Sequence, residues 1–363
     1  MINVIFPLLR LGLENSTLEK ENLSDFVFLR PEQWTEIGNV ARKQGVLGIV
    51  IDGVEQLESS SYGFTCNLIL AKKLEWIGEV LQLEQKNRKQ TVVMEDLAGK
   101  WKNEGCRVMV MKGQANGTFY PKPNHRNPGD IDCYLFGEYN KGNEIAKSLG
   151  AHVNEEWYKH SEIYYKDEIF ENHQYFVHTR GGRRSKLLEK ELENALEVDD
   201  TQFKHLSVNI VMPPVQWTAM FLTYHACGHF LTEGLRLKQI LDWAMFLKQH
   251  QKEVDWKVFY EFCEQYHLRA FANAMTSIAY KYLGVEINHP SVIYESDYAD
   301  KILKSTLDDD DYIYSTDGGG WKEKIHVVKN LFRYRWKYEE IYQESIWKQL
   351  WYYITGFIFK TEK

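Results

Sequence analysis

No apolar run in this sequence approaches eighteen residues, so it offers no segment long enough to cross a bilayer as a helix. The opening MINVIFPLLRLGL is interrupted by Arg10 and followed by Glu14, which excludes the basic-then-apolar order of a secretory leader. Cysteine is sparse and unpatterned. Cys66, Cys106, Cys133, Cys227 and Cys263 are odd in number and show no CxxC spacing, so they read as reduced, partly buried thiols rather than a disulfide framework or a thiolate zinc site. A basic excess is missing as well: 44 Lys and Arg stand against 51 Asp and Glu, a formal net charge of −7. That balance argues against a partner such as duplex DNA. Together these absences predict a cytoplasmic protein without a transmembrane segment. Two short motifs are also incomplete. Gly318 to Gly320 lacks the Lys-Ser/Thr of a phosphate loop, and His225-x3-His229 lacks the glutamate of a zinc protease.

What is present concentrates in residues 106–135, where polar chemistry sits between two apolar strands. Cys106 to Met111 is an apolar run of strand type that stops at Lys112-Gly113. Gln114 to Tyr120 suits one or two helical turns, ended by Pro121 and Pro123, and Asn124 to Gly129 is loop by composition. In the next strand Asp130 and Asp132 alternate with Ile131, so both carboxylates leave one face while Ile131 enters the core. Two such like charges repel and raise each other's pKa unless a cation lies between them. Hard oxygen ligands favour Mg²⁺ or Mn²⁺, which keep positions open for substrate phosphates. Gly113 backbone N–H groups, Lys112 and Arg126 would then neutralise the phosphate charge. The competing reading is an edge strand with solvated aspartates.

The rest of the chain supplies the frame. Its 363 residues suffice for two domains, or for one domain with a helical extension. The spacing predicts a helical N-terminal cap over 1–67 and one or two amphipathic helices over 68–103 whose apolar face is Leu70, Leu74, Ile77, Leu81, Val92 and Leu97. A helix over 138–149 and a hairpin turning at Lys166-Asp167 follow. The second hairpin strand offers Glu171 as a third carboxylate, with Glu168 the alternative that parity alone leaves open. Arg180, Arg183, Arg184 and Lys186 form a basic cluster read as a solvated loop. Pro213-Pro214 marks a boundary, so 68–212 is read as the α+β domain and 213–363 as a helical domain. There His225 and His229 share a helix face, lining a cleft or packing against Asp242, and Arg236 suits a phosphate. Asp308 to Asp311 and Asp317 to Gly320 read as loop. From Trp321 onward, Ile325, Val328, Phe332 and Trp336 form an apolar face read as core packing, opposite a basic one.

The residues MKGQANGTFYP, then Arg126, then Gly129-Asp-Ile-Asp132, resemble the motif of an uncharacterised bacterial nucleotidyltransferase family within the DNA polymerase β-like superfamily. The resemblance extends over roughly residues 68–250, through Glu171 and His173 to the helices with His225, His229, Arg236 and Asp242. It implies an α+β fold, a small mixed sheet with helices followed by a mostly helical C-terminal region. It implies that Asp130 and Asp132 hold metal, two Mg²⁺ or Mn²⁺ ions during catalysis, with Glu171 favoured as the third carboxylate. Lys112, Gly113, Gln114, Arg126 and Arg236 would face the phosphates of a nucleoside triphosphate, and His173, His225, His229 and Asp242 would line the cleft. Gln114 stands where that superfamily usually carries Ser or Gly after the glycine. The acceptor is left open among a small molecule, a sugar, a protein and RNA. A nucleotide-sugar glycosyltransferase also uses Asp-x-Asp but requires alternating strands and helices ahead of it. A non-catalytic binding module on the same fold is the other rival.

Overall fold

A computed structural model describes residues 2–15, 26, 29–59, 65–179, 182–308 and 321–351. It begins with helices α1 (Ile2–Gly12), α2 (Pro31–Lys43) and α3 (Leu47–Glu58). α1 and α3 touch backbone to backbone. A Cβ on Gly12 would lie 2.1 Å from the Ile49 carbonyl oxygen, and one on Gly53 2.1 Å from that of Leu8, so only glycine permits this crossing.

Next comes one continuous rod, α4 (Leu70–Asn103). Its buried stripe differs from the expected one. Leu70, Leu74, Leu81 and Val92 are exposed, whereas Trp76, Val80, Asn87, Gln90, Val93 and Leu97 are buried. The shift arises because two polar residues, Asn87 and Gln90, turn inward to bond a loop, so hydrophobicity alone misplaces the buried face.

The sheet contains β1 (Met109–Val110), β2 (Ile131–Tyr134), β3 (His152–Asn154), β4 (His160–Tyr165) and β5 (Glu168–His173), in the order β1-β2-β5-β4-β3. β2 and β5 pair in parallel and the other neighbours antiparallel. A single turn, α5 (Gln114–Gly117), follows β1, and α6 (Tyr139–Ser148) begins the crossover that a parallel pair requires. β1 is shorter than the apolar run around it, and on its outer side Val110 donates to the Val211 carbonyl and Val211 to that of Val108. β4 and β5 turn at Lys166 and Asp167, both at positive φ (50° and 63°), as a tight hairpin requires. One sheet face, with Ile131, Cys133, Ile163 and Phe170, is covered by Val93, Leu97 and Trp101 of α4 and Ala146 of α6. The other face is left for polar groups.

Helices α7 (Arg183–Asn194), α8 (Val215–Thr232), α9 (Leu237–His250), α10 (Trp256–Gln265), α11 (Arg269–Lys281), α12 (Ala299–Leu307) and α13 (Trp321–Arg333) complete the chain. α8 is hydrophobic nearly all round, which places it centrally. The architecture is α+β, a small mixed sheet followed by a mostly helical region. One apolar core joins α1 and α3 to α8 through α12. Arg10 of α1 reinforces it by donating to the Tyr282 carbonyl at 2.7 Å.

The C-terminal face also differs from expectation. Ile325 and Phe332 are exposed, while Val327, Leu331, Tyr334 and Tyr338 are buried. The buried Lys337 ammonium lies 4.7 Å from the Phe230 ring and 4.9 Å from that of Tyr334. There the chain passes from α13 into a π turn over Lys337–Ile341. All five cysteines are buried and unpaired. No described helix is long and apolar enough to cross a membrane. Arg180, residues 309–320 and the side chains of Lys322 and His326 lie outside the described residues.

Candidate active site

The sheet face turned away from α4 and α6 carries the chemistry. Register pairs Asp132 with Glu171 across β2 and β5, and His160 with His173 across β4 and β5, so these four side chains leave the same face. Buried Asp132 accepts a hydrogen bond from Lys112 Nζ at 2.9 Å. His173 Nε2 stands 3.2 Å from Asp132 Oδ1 and 3.3 Å from Glu171 Oε2. Glu168 belongs with Phe170 on the helix-covered face, buried, with Lys89 Nζ 3.9 Å away. Of the two carboxylates the sequence left open, Glu171 is therefore the one beside Asp132. Asp130 is exposed just ahead of β2.

Burial alone would raise the Asp132 carboxyl, yet the Lys112 ammonium and His173 hold it well below the usual carboxylate range. Asp130 goes the other way: partial desolvation and the negative charges of Glu171 and Asp132 push it up. Against burial, Asp132 and Glu171 in turn raise Lys112. This wall holds more negative charge than its lysine neutralises.

The opposite wall comes from α8 and α9. His225 Nε2 lies 3.0 Å from Lys112 Nζ. Burial, Lys112 and His229 lower the His225 pKa strongly, so its neutral imidazole accepts from the ammonium. His229 instead meets Glu233 at 3.0 Å. Arg236 and Lys238 stand where α9 begins, on the rim of a cavity of about 280 Å³ that also reaches Gly113, Asp130 and Asp132. Burial and the like charge of Arg126 bring Lys238 down to about 8. This wall sets Arg126, Arg236 and Lys238 against the carboxylates of Asp242 and Glu233, so its cations outnumber its carboxylates, as the carboxylates of the other wall outnumber its lysine.

Arg126, expected at the phosphates, lines the cavity but commits Nε and Nη2 to Asp242, each at 2.7 Å. The same carboxylate accepts from Tyr120 Oη at 2.7 Å and Asn116 Nδ2 at 3.1 Å. Asp242 is therefore met by Arg126 and not by the histidine pair. Gln114, also expected at the phosphates, donates to Asn87 Oδ1 and Gln90 Oε1 of α4, both at 3.1 Å. Asn87 in turn donates to the Asn124 and Arg126 carbonyls, and Gln90 to that of Gly129. Arg184 of the basic cluster pairs with Glu344.

Sequence reasoning missed Lys238, His160, Asn87 and Gln90. The last pair left a signal, since polar side chains recur there on a stripe that is otherwise apolar.

Residues 30–284 match a family model described as uncharacterised nucleotidyltransferase. The chain belongs to this family. No curated protein and no solved structure matches it. The matched span takes in α2 through α11 and the whole sheet, so both walls of the nucleotidyltransferase cavity lie within it.

Proposed function

We propose that this nucleotidyltransferase moves a nucleoside monophosphate from a nucleoside triphosphate to an acceptor hydroxyl, the two walls of the cavity being its metal and phosphate subsites. The observation that carries this reading is the division of charge across one cavity. A metal–triphosphate complex suits both halves, with its cation facing Asp130 and Asp132, beside which Glu171 stands across β2 and β5, and its anion facing Lys112, Arg236 and Lys238. The donor set suits Mg²⁺ or Mn²⁺, because carboxylate oxygens are the ligands these ions prefer. When bound, such ions supply Lewis-acid stabilisation of the oxygens at the reacting phosphorus.

The chain's own groups do the positioning. Lys112 bridges the walls through Asp132 and His225, and Arg236 and Lys238 offset the triphosphate charge. The acceptor oxygen bonds to the α-phosphorus, the bond to the leaving pyrophosphate breaks, and a carboxylate of the cluster takes the acceptor's proton. The acceptor is a small molecule, sugar, protein or RNA.

A nucleotide-sugar glycosyltransferase loses its support. Residues 70–103 form a single helix where that fold needs alternating strands. The test is equilibrium binding of a nucleoside triphosphate with and without Mg²⁺ or Mn²⁺, followed by transfer of α-labelled nucleotide into cell extract. The double variant Asp130→Asn, Asp132→Asn is expected to lose at least tenfold in metal-dependent affinity, about 1.4 kcal/mol, and all labelling. Unchanged binding in that variant would overturn the site. Binding without any labelled acceptor would favour the non-catalytic module.

A further inference from the structure

We propose that His160, Glu171 and His173 form a binding site for a divalent first-row transition ion, of the Mn²⁺, Co²⁺ or Zn²⁺ class, which Mg²⁺ does not fill. It shares Glu171 with the proposed nucleotide site but does not depend on nucleotidyl transfer.

The strands build the site. His160 and His173 are direct partners across antiparallel β4 and β5, and Glu171 lies two residues before His173 on the same face. One donor atom from each lies within 4.8 Å of the others. His160 Nε2 is 3.7 Å from Glu171 Oε1, and His173 Nε2 is 3.3 Å from Glu171 Oε2. Ligands about 2.1 Å from one ion lie roughly 3 to 3.5 Å apart in octahedral or tetrahedral arrangements, so small side-chain movements close the set.

Hydrogen bonding gives the second reason. His173 Nδ1 lies 3.1 Å from the Tyr175 carbonyl oxygen, a partner that only an N–H can satisfy. His173 Nε2 then faces the carboxylate oxygens of Asp132 and Glu171. An imidazole whose second nitrogen is fixed on a backbone carbonyl is also how metal-ligating histidines are commonly oriented. Two imidazole nitrogens with one carboxylate then select the ion, since nitrogen donors suit first-row transition ions and Mg²⁺ holds to oxygen and water.

The experiment titrates the full-length chain, stripped of metal and free of nucleotide, with Co²⁺ and follows its visible absorption. One Co²⁺ per chain is expected, with bands of mixed nitrogen and oxygen coordination, and millimolar Mg²⁺ is expected not to displace it. His173 is buried, so the less buried His160 carries the test, with thermal unfolding in chelator to check the fold. His160→Gln and Glu171→Gln are each expected to weaken Co²⁺ at least tenfold, while Asp130→Asn binds it as the wild type does. Wild-type affinity in His160→Gln, or displacement by Mg²⁺ at equal concentration, overturns the site. Neither result touches the nucleotide reading, which stands or falls on the Asp130 and Asp132 variant.

Discussion

Gly113 sits at φ 65° and ψ −109°, a conformation that a side chain makes costly. A Cβ there would approach only the Asp130 carbonyl oxygen, at 3.5 Å, an ordinary contact. The penalty of Gly113→Ala is therefore backbone strain alone, and a loss of about 1–3 kcal/mol is expected in urea unfolding. Single residues also mark where the sequence was legible. Lys112, Asp130 and Asp132 could be read because strand alternation and an abrupt strand end are local facts. Choosing Glu171 over Glu168 needed the register of β2 on β5, which is set by tertiary packing. Lys238 and His160 were invisible for the same reason, since each meets the site through neighbours distant in sequence.

At the scale of elements, α7 is tied to the segment after β5 by one carboxylate. Glu189 accepts from the backbone N–H groups of Phe176 and Val177 at 2.9 and 2.8 Å, and burial pushes its carboxyl up to about 7. A raised folded-state pKa means that the native state holds the proton over a range where the unfolded chain, near 4.5, has released it. Stability is then greatest below about pH 4.5 and falls as pH rises to about 7, by roughly 3 kcal/mol for this group. Urea unfolding at pH 5 and pH 8 should show the fall, and Glu189→Gln should remove most of it. The same scale explains the mixed legibility of the fold. The hairpin, the β2 strand and α6 were readable from local turn and period signals. The buried stripe of α4 and the face of α13 were not. Asn87 and Gln90 on α4 and Asn330 on α13 are buried polar residues, and a hydrophobic period counts them as surface.

At the scale of the whole molecule, the loop from Asn124 to Gly129 is held by all three parts of the chain. Asp52 of α3 meets His125 Nδ1 at 2.8 Å, Glu84 of α4 meets its Nε2 at 2.9 Å, and Asp242 of α9 takes the Arg126 fork. α3 thereby helps to place the loop from which Asp130 emerges. The clamps differ in kind. Arg126 and Asp242 are both buried, at 8% and 7% side-chain exposure, so Asp242→Asn leaves a largely desolvated guanidinium without its counter-charge. The expected cost is about 3–5 kcal/mol in urea unfolding, with weaker nucleotide binding as the loop loosens. At Asp52 the lysine partner Lys122 retains 49% side-chain exposure and keeps much of its hydration when the charge is removed. Asp52→Asn should therefore destabilise the chain less than Asp242→Asn. Equal losses would mean that burial of the pair does not decide the strength of the clamp.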